Sequence, residues 1–284
     1  MTKQARQTGK RARRDQQFAL PGDGLQVPAP RAQKAKRPLE ARTDAQNAYI
    51  NAIDVYDIIF GIGPLGTGKT YVAVSKAADE LAAGRIDQLI VTRPAVNADE
   101  EYGFLPGDML DDNGGKFAPY FAPVRAILER RLGAGHVEYL LKAGKIQIAP
   151  LGHLRGHTFE NAWVLFDEAQ NCTPKQMELF LGRMGERCKV IIDGDFVQKD
   201  ITGKSGLEDA LEVMEDHPQV GIVEFTLDDI VRSGLARDIA IRYHNRASKR
   251  GTAHEKIDIG LDSLRGIVSQ SATNTRGFQP DRPH

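Results

Sequence analysis

Short, uninterrupted apolar runs alternate with longer segments of mixed polarity along most of this chain. "DIIFGI" (57–62), "QLIVT" (88–92), "IQIAP" (146–150), "AWVLFDE" (162–168), "CKVIIDGD" (188–195) and "VGIVEF" (220–225) read as strands. Runs this short and this apolar fit strands buried on both faces. Between them, "GKTYVAVSKAADELAAG" (68–84) reads as a helix ended by Gly84, and helices are expected at 120–132, 174–184, 205–216 and 235–247. Strands alternating with helices predict an α/β domain, a parallel sheet with helices on both faces, over residues 43–250.

Composition changes the picture mainly at the ends. A chain of 284 residues, 41% hydrophobic and 27% charged, is long enough for a sizeable core and ordinary for a globular protein. The formal net charge is zero, yet residues 1–42 hold 11 Lys or Arg against 3 Asp or Glu, leaving an acidic remainder. That basic stretch lacks periodicity and reads as a disordered arm, either a solvated tail or a contact that neutralises nucleic-acid phosphates. Residues 251–284, rich in Ser, Thr, Asn and Gly, read as a flexible tail. No apolar run is long enough to span a membrane, and none follows the basic N-terminus as a secretory leader requires. Cys172 and Cys188 lack metal-ligand spacing, so two reduced thiols in a cytoplasmic protein are expected, with a disulfide as the alternative. His153 and His157 lie four apart, but Gly156 interrupts the segment and a structural or surface role is expected.

Candidate chemistry concentrates in three stretches. "IGPLGTGKTYVAV" (62–74) fits G-x-x-x-x-G-K-[ST] through Gly63, Gly68, Lys69 and Thr70, between a strand and a helix. Gly63, Pro64, Leu65, Gly66, Thr67 and Gly68 would form a loop whose backbone N–H groups surround a polyphosphate, with Lys69, Thr70 and Tyr71 opening the helix behind it. Lys69 would supply a cation to the β- and γ-phosphates, and Thr70 a hydroxyl to Mg²⁺. "WVLFDEAQN" (163–171) ends a strand in two carboxylates: Asp167 to hold Mg²⁺, directly or through water, and Glu168 to polarise the attacking water. The second carboxylate favours ATP hydrolysis over transfer to a small acceptor. The absence of an Asn-Lys-x-Asp motif counts against a GTPase. "VIIDGDFVQKD" (190–200) presents Gly194, Asp195 and Gln198 at another strand tip, where Gln198 would sense a γ-phosphate. Trp163 is read as packing.

Taken in order, "GPLGTGKTYVAV", "VTRPAVNADEEYGFLPGDM", "APLGHLRGHTFENAWVLFDEAQNCTPKQMELFLGRMG" and "KVIIDGDFVQKDI" resemble the PhoH-like ATPases over about Ala45 to Asn245. The resemblance implies a RecA-like P-loop core related to superfamily-one helicases, with the Asp195 strand between the phosphate-loop strand and the Asp167 strand. It implies ATP, Mg²⁺, RNA metabolism and ring-shaped homo-oligomers, hexamers above all. Some cellular members carry an additional N-terminal nuclease or RNA-binding domain; the short basic N-terminal region here puts any such nuclease activity in doubt. By the same resemblance Gln46 would read adenine, and Arg93, Arg155 and Thr158 would lie where a single strand passes. Arg232 in "LDDIVRSG" resembles the arginine that stabilises charge on the γ-phosphoryl group, with Arg183 as the alternative. With one core in the chain, that finger would come from a neighbouring subunit.

Two functions compete on these residues. One is an ATP-driven ring that moves along or unwinds single-stranded nucleic acid, RNA favoured. The other is an ATP-dependent switch whose nucleotide state recruits a nuclease or ribosomal partner. A small-molecule kinase fares worse, since no acceptor lid is visible and Glu168 would promote hydrolysis.

Overall fold

The computed structural model describes residues 38–94, 118–154, 156 and 158–251. The expectations for the arm up to residue 37, the tail from 252, the "GFLPGD" stretch, Arg155 and His157 lie outside the described residues. Six strands, β1 (Ile58–Ile62), β2 (Gln88–Arg93), β3 (Ile146–Pro150), β4 (Ala162–Phe166), β5 (Lys189–Gly194) and β6 (Val220–Glu224), form one sheet in the order β3-β2-β4-β5-β1-β6. Every neighbouring pair is parallel. β5 therefore lies between β1 and β4, as the resemblance implied.

The helices are α1 (Asp44–Val55), α2 (Lys69–Ala82), α3 (Ala118–Leu132), α4 (Ala134–Lys142), α5 (Pro174–Leu181), α6 (Gly206–Met214) and α7 (Gly234–Gly251). Strand residues alternate between two cores. Ile59, Leu89, Val91, Trp163, Leu165 and Ile191 face α1 to α4, and Ile58, Phe60, Ile90, Val164, Phe166, Val190 and Ile192 face α5 and α6. Both faces are covered, which is why the strands read as continuous apolar runs rather than alternating ones. Trp163 packs within the first core, as expected. In the second, Phe166 and Phe180 meet edge to face with centroids 4.7 Å apart. Burying a side chain of that size contributes about 1.5–3 kcal/mol.

Local chemistry sets the ends of the helices. Thr173 and Gln176 cap α5 reciprocally behind Pro174, and Ser205 and Glu208 do the same for α6. α5 stops at Leu181, short of the expected 184, because Gly182 follows and its N–H closes on Glu178. Two helices were not foreseen. α1 buries only Gln46, Tyr49, Ala52 and Ile53, so its apolar stripe is thin and one buried residue is polar. α4 has nine residues and buries only Val137 and Leu140. Among the described residues, no helix is long and apolar enough to cross a membrane.

Candidate active site

The carboxyl ends of β1, β4 and β5 meet in a cleft of about 160 Å³, the position where open parallel sheets take ligands. Leu65, Gly66, Gly68, Lys69, Thr70 and Tyr71 line one side, and Asp167, Glu168, Asp193, Gly194, Asp195 and Gln198 the other. The three stretches singled out in the sequence therefore share one cleft.

The loop after β1 is held from several directions. Gly66 and Gly68 take positive φ (90° and 86°), a conformation that costs other residues strain. A Cβ on Gly63 would run into the backbone carbonyl of Phe225. Gly68 caps α2 without a side-chain bond, so the first N–H groups of that helix face the cleft with their positive dipole end. The Lys69 ammonium donates to the carbonyls of Gly63 (2.6 Å) and Pro64 (3.0 Å) and to the Thr67 hydroxyl (3.3 Å). Burial lowers its pKa, while Asp193, Asp195, Asp167 and Glu168 pull the other way.

Gln46 packs against the phosphate loop. It is 3% exposed and stands behind the loop, donating from Nε2 to the Thr67 carbonyl at 2.8 Å and accepting from the Arg42 N–H at 2.8 Å. The amide braces the loop through one bond at each end, and one N–H and one oxygen lone pair remain beyond those two bonds. Arg232 also lies close to the loop. A Cβ on Gly66 would lie 3.1 Å from its Cδ and Nε, and the Val231 N–H donates to the Gly66 carbonyl at 3.0 Å. The chain's own Arg232 thus lies against its own loop, outside the residues that line the cleft. The alternative, Arg183, donates to the Leu154 carbonyl and does not line the cleft.

On the facing side, the Thr70 hydroxyl donates to Asp167 Oδ1 at 3.1 Å, joining residues 97 positions apart. Burial raises the Asp167 pKa and the adjacent Glu168 adds to it, against Arg93, Thr70 and Lys69. A hydroxyl beside a carboxylate that shares its site with a second carboxylate fits a hard cation such as Mg²⁺, which keeps waters and phosphate oxygens as its other ligands. Among the described residues, no group of three or more His, Cys, Asp or Glu forms a self-sufficient metal cage.

Glu168 follows β4 in the left-handed region, at φ 54°. Arg93 Nη2 donates to its Oε1 at 2.7 Å and Gln170 Nε2 to its Oε2 at 2.6 Å. Gln170 is fully buried; its Oε1 accepts from the Asp195 N–H at 3.1 Å and its Nε2 reaches the Gln198 carbonyl at 3.4 Å. Gln198 in turn donates to Asp195 Oδ2 at 2.7 Å. The Gln198 position is thereby tied to Glu168 through Gln170, a link the sequence reading missed. Arg93, expected where a single strand of nucleic acid would pass, ends β2 at the carboxyl edge of the sheet and places its guanidinium on Glu168. Thr158 is exposed, packed near Gly185 and away from the cleft lining.

Asp193 was missed as well. It is 1% exposed, accepts from the Tyr49 hydroxyl through Oδ1, and has no partner on Oδ2. A Cβ on Gly61, its register partner on β1, would lie 2.5 Å from Oδ1 and 2.8 Å from the Tyr49 hydroxyl. The glycine leaves room for the pair. Burial, reinforced by Asp167, pushes the Asp193 pKa up to about 7. The signal available in the sequence was a charged residue inside the apolar run "KVIIDG".

A glycine loop at a helix mouth, a Thr–Asp pair beneath it and a parallel sheet in this order define a P-loop nucleoside-triphosphatase fold. The chain belongs to the PhoH family: the family model described as "PhoH-like protein" matches residues 38–244. It is 49% identical to the protein PhoH of Escherichia coli K12 over 204 residues, 70% of this chain and 56% of that one. Against a PhoH-like protein of Bacillus subtilis it is 44% identical over 207 residues, 72% of this chain and 64% of the relative. The chain thus matches under two thirds of the length of these curated relatives. Among solved structures, the large terminase of a thermophilic bacteriophage is similar with a TM-score of 0.42, at 12% identity, over 70% of this chain and 49% of that chain.

Proposed function

We propose that this chain is a Mg²⁺-dependent ATP hydrolase, cytoplasmic, acting on single-stranded nucleic acid as a homo-oligomeric ring motor. The observation that carries the hydrolytic part is the Thr70–Asp167 bond, which brings the phosphate loop and the two carboxylates into one cleft. The loop N–H groups and Lys69 bind the phosphates, and Lys69 exchanges its loop carbonyls for phosphate oxygens. Thr70 and Asp167 would hold the metal ion, which would supply charge neutralisation to the phosphates. Glu168 orients a water and takes its proton as the water oxygen bonds to the γ-phosphorus. The bond from that phosphorus to the bridging oxygen breaks, leaving ADP and inorganic phosphate. Arg232, running over Gly66, adds positive charge from the same chain. RNA as the preferred strand and the hexameric ring rest on the family resemblance.

A second reading, the switch that recruits a nuclease or ribosomal partner, draws support from Glu168, whose two oxygens are both held by protein donors. ATP turnover measured with and without single-stranded RNA and DNA, at two protein concentrations and two salt concentrations, separates the readings. The motor reading expects stimulation by single strands that weakens with salt. Turnover indifferent to both strands would overturn it in favour of the switch.

A further inference from the structure

We infer that the outward face of α7 is a binding surface for single-stranded nucleic acid, with Arg242 and Arg246 on its phosphates and Tyr243 beneath a base. This deepens the proposed action on single strands and rests on that reading.

α7 differs from the other helices of the domain. Each of α1 to α6 buries apolar side chains in one of the two cores, whereas no described side chain of α7 is buried. Arg237, Ala240, Ile241, His244, Ala247 and Ser248 are half-buried and mark its inward side. Leu235, Ile239, Arg242, Tyr243, Arg246 and Lys249 recur at the spacing of one helical face, and all are exposed. A surface helix ordinarily turns its large apolar residues inward. Here Leu235 is 74% exposed and Tyr243 65%.

Charge selects the occupant. Residues 234–251 hold five Lys or Arg against one Asp, on a chain that is acidic in sum beyond residue 42. Among the described residues, Arg237 pairs with Asp228 at 3.7 Å, while Arg242 and Arg246 form no ion pair. The Arg246 guanidinium lies 6.0 Å from the centroid of the Tyr243 ring, so a cation and an exposed aromatic stand side by side. An apolar stripe alone would suit another protein chain. Cations set within the stripe, next to a ring, suit a polymer that repeats a phosphate and a flat base. The guanidinium forks match the phosphate oxygens, and Tyr243 stacks a base whatever its identity. α7 also packs against the turn Phe196–Gln198, and Gln198 lines the cleft, so a strand on this face lies on an element that touches the cleft wall.

Binding of fluorescently labelled oligo(U) and oligo(dT) to the full chain is measured by anisotropy across a salt series. The native protein should bind, with affinity that falls as salt rises. Arg242→Gln combined with Arg246→Gln should weaken binding about tenfold and flatten the slope of log Kd against log salt by about 0.7 for each arginine. Tyr243→Ala should weaken binding by about fivefold or more, and Tyr243→Phe, which keeps the ring, should stay within about twofold of the native protein. All three residues lie outside the cleft lining, so basal ATP turnover and thermal unfolding should match the native protein in every variant. Native affinity and salt slope in the double arginine variant, or native affinity in Tyr243→Ala, would overturn the inference alone. Failure of the native protein to bind either strand would overturn it together with the single-strand reading. Binding lost in the variants, with native turnover indifferent to strands, would uphold the surface and leave only the motor to fall. Sedimentation of the same proteins tests the rival occupant: a changed assembly state in the variants would give the face to a second copy of the chain and overturn the inference.

Discussion

The two sides of the cleft are built by different means. The phosphate side is contiguous: residues 63–70 supply the loop, the lysine, the threonine and the carbonyls that hold the lysine. The water side is assembled from four places, Arg93 at the end of β2, Glu168 and Gln170 after β4, Asp193 on β5 and Gln198 beyond it. The first works through backbone geometry, which local sequence dictates. The second works through side chains that meet only because β2, β4 and β5 are neighbours in the sheet.

The largest effect expected on this contrast comes from the contiguous side. Lys69→Ala removes the one cation that the loop itself carries, and turnover should fall by about 10²–10³. Turnover near the native rate would contradict the role given to the loop. Mixed with Arg232→Ala subunits, Lys69→Ala should recover no activity, because Arg232 lies on its own loop. Recovery in mixed assemblies would restore a finger acting between subunits.

Asp193 sharpens the comparison through pH. Its carboxyl is raised from 3.8 to about 7, chiefly by burial, so the folded state holds the proton more tightly than the unfolded chain. The stability this group contributes is complete below its unfolded pKa and is lost as pH climbs to about 7. Asp193→Asn cannot titrate, so relative to the native protein it should gain on the order of 2–4 kcal/mol between acid pH and pH 8. Denaturant unfolding of both proteins across that range checks this; parallel pH profiles would contradict it.

A smaller effect is expected at Gln170. Gln170→Ala leaves Glu168 with Arg93 alone and removes the partner of the Asp195 N–H, which should cost about 1–3 kcal/mol of stability. Thermal unfolding with a shift well under that size would show that the two strand tips are not joined through this side chain.

The same contrast explains what could be read in advance. The strands were legible because a sheet covered on both faces forces continuous Ile and Val runs, and the loop because its glycines and Lys69 are adjacent in sequence. Gln170 was in view within "DEAQN", yet its bond to the Asp195 N–H depends on β5 lying beside β4. Asp193 stood out as a charge in an apolar run, but its partner Tyr49 lies 144 residues away on a helix whose thin stripe hid it. Gln46 was in view through the family resemblance, as a reader of adenine. Its orientation, braced between Thr67 and Arg42, was not.

Single-turnover hydrolysis by Glu168→Gln, with Mg²⁺ and ATP beside the native protein, tests the shared cleft most directly. ATP should bind with native affinity and be recovered intact, with phosphate release slowed by about 10²–10⁴. Release at the native rate would mean that the carboxylate following β4 does not prepare the water.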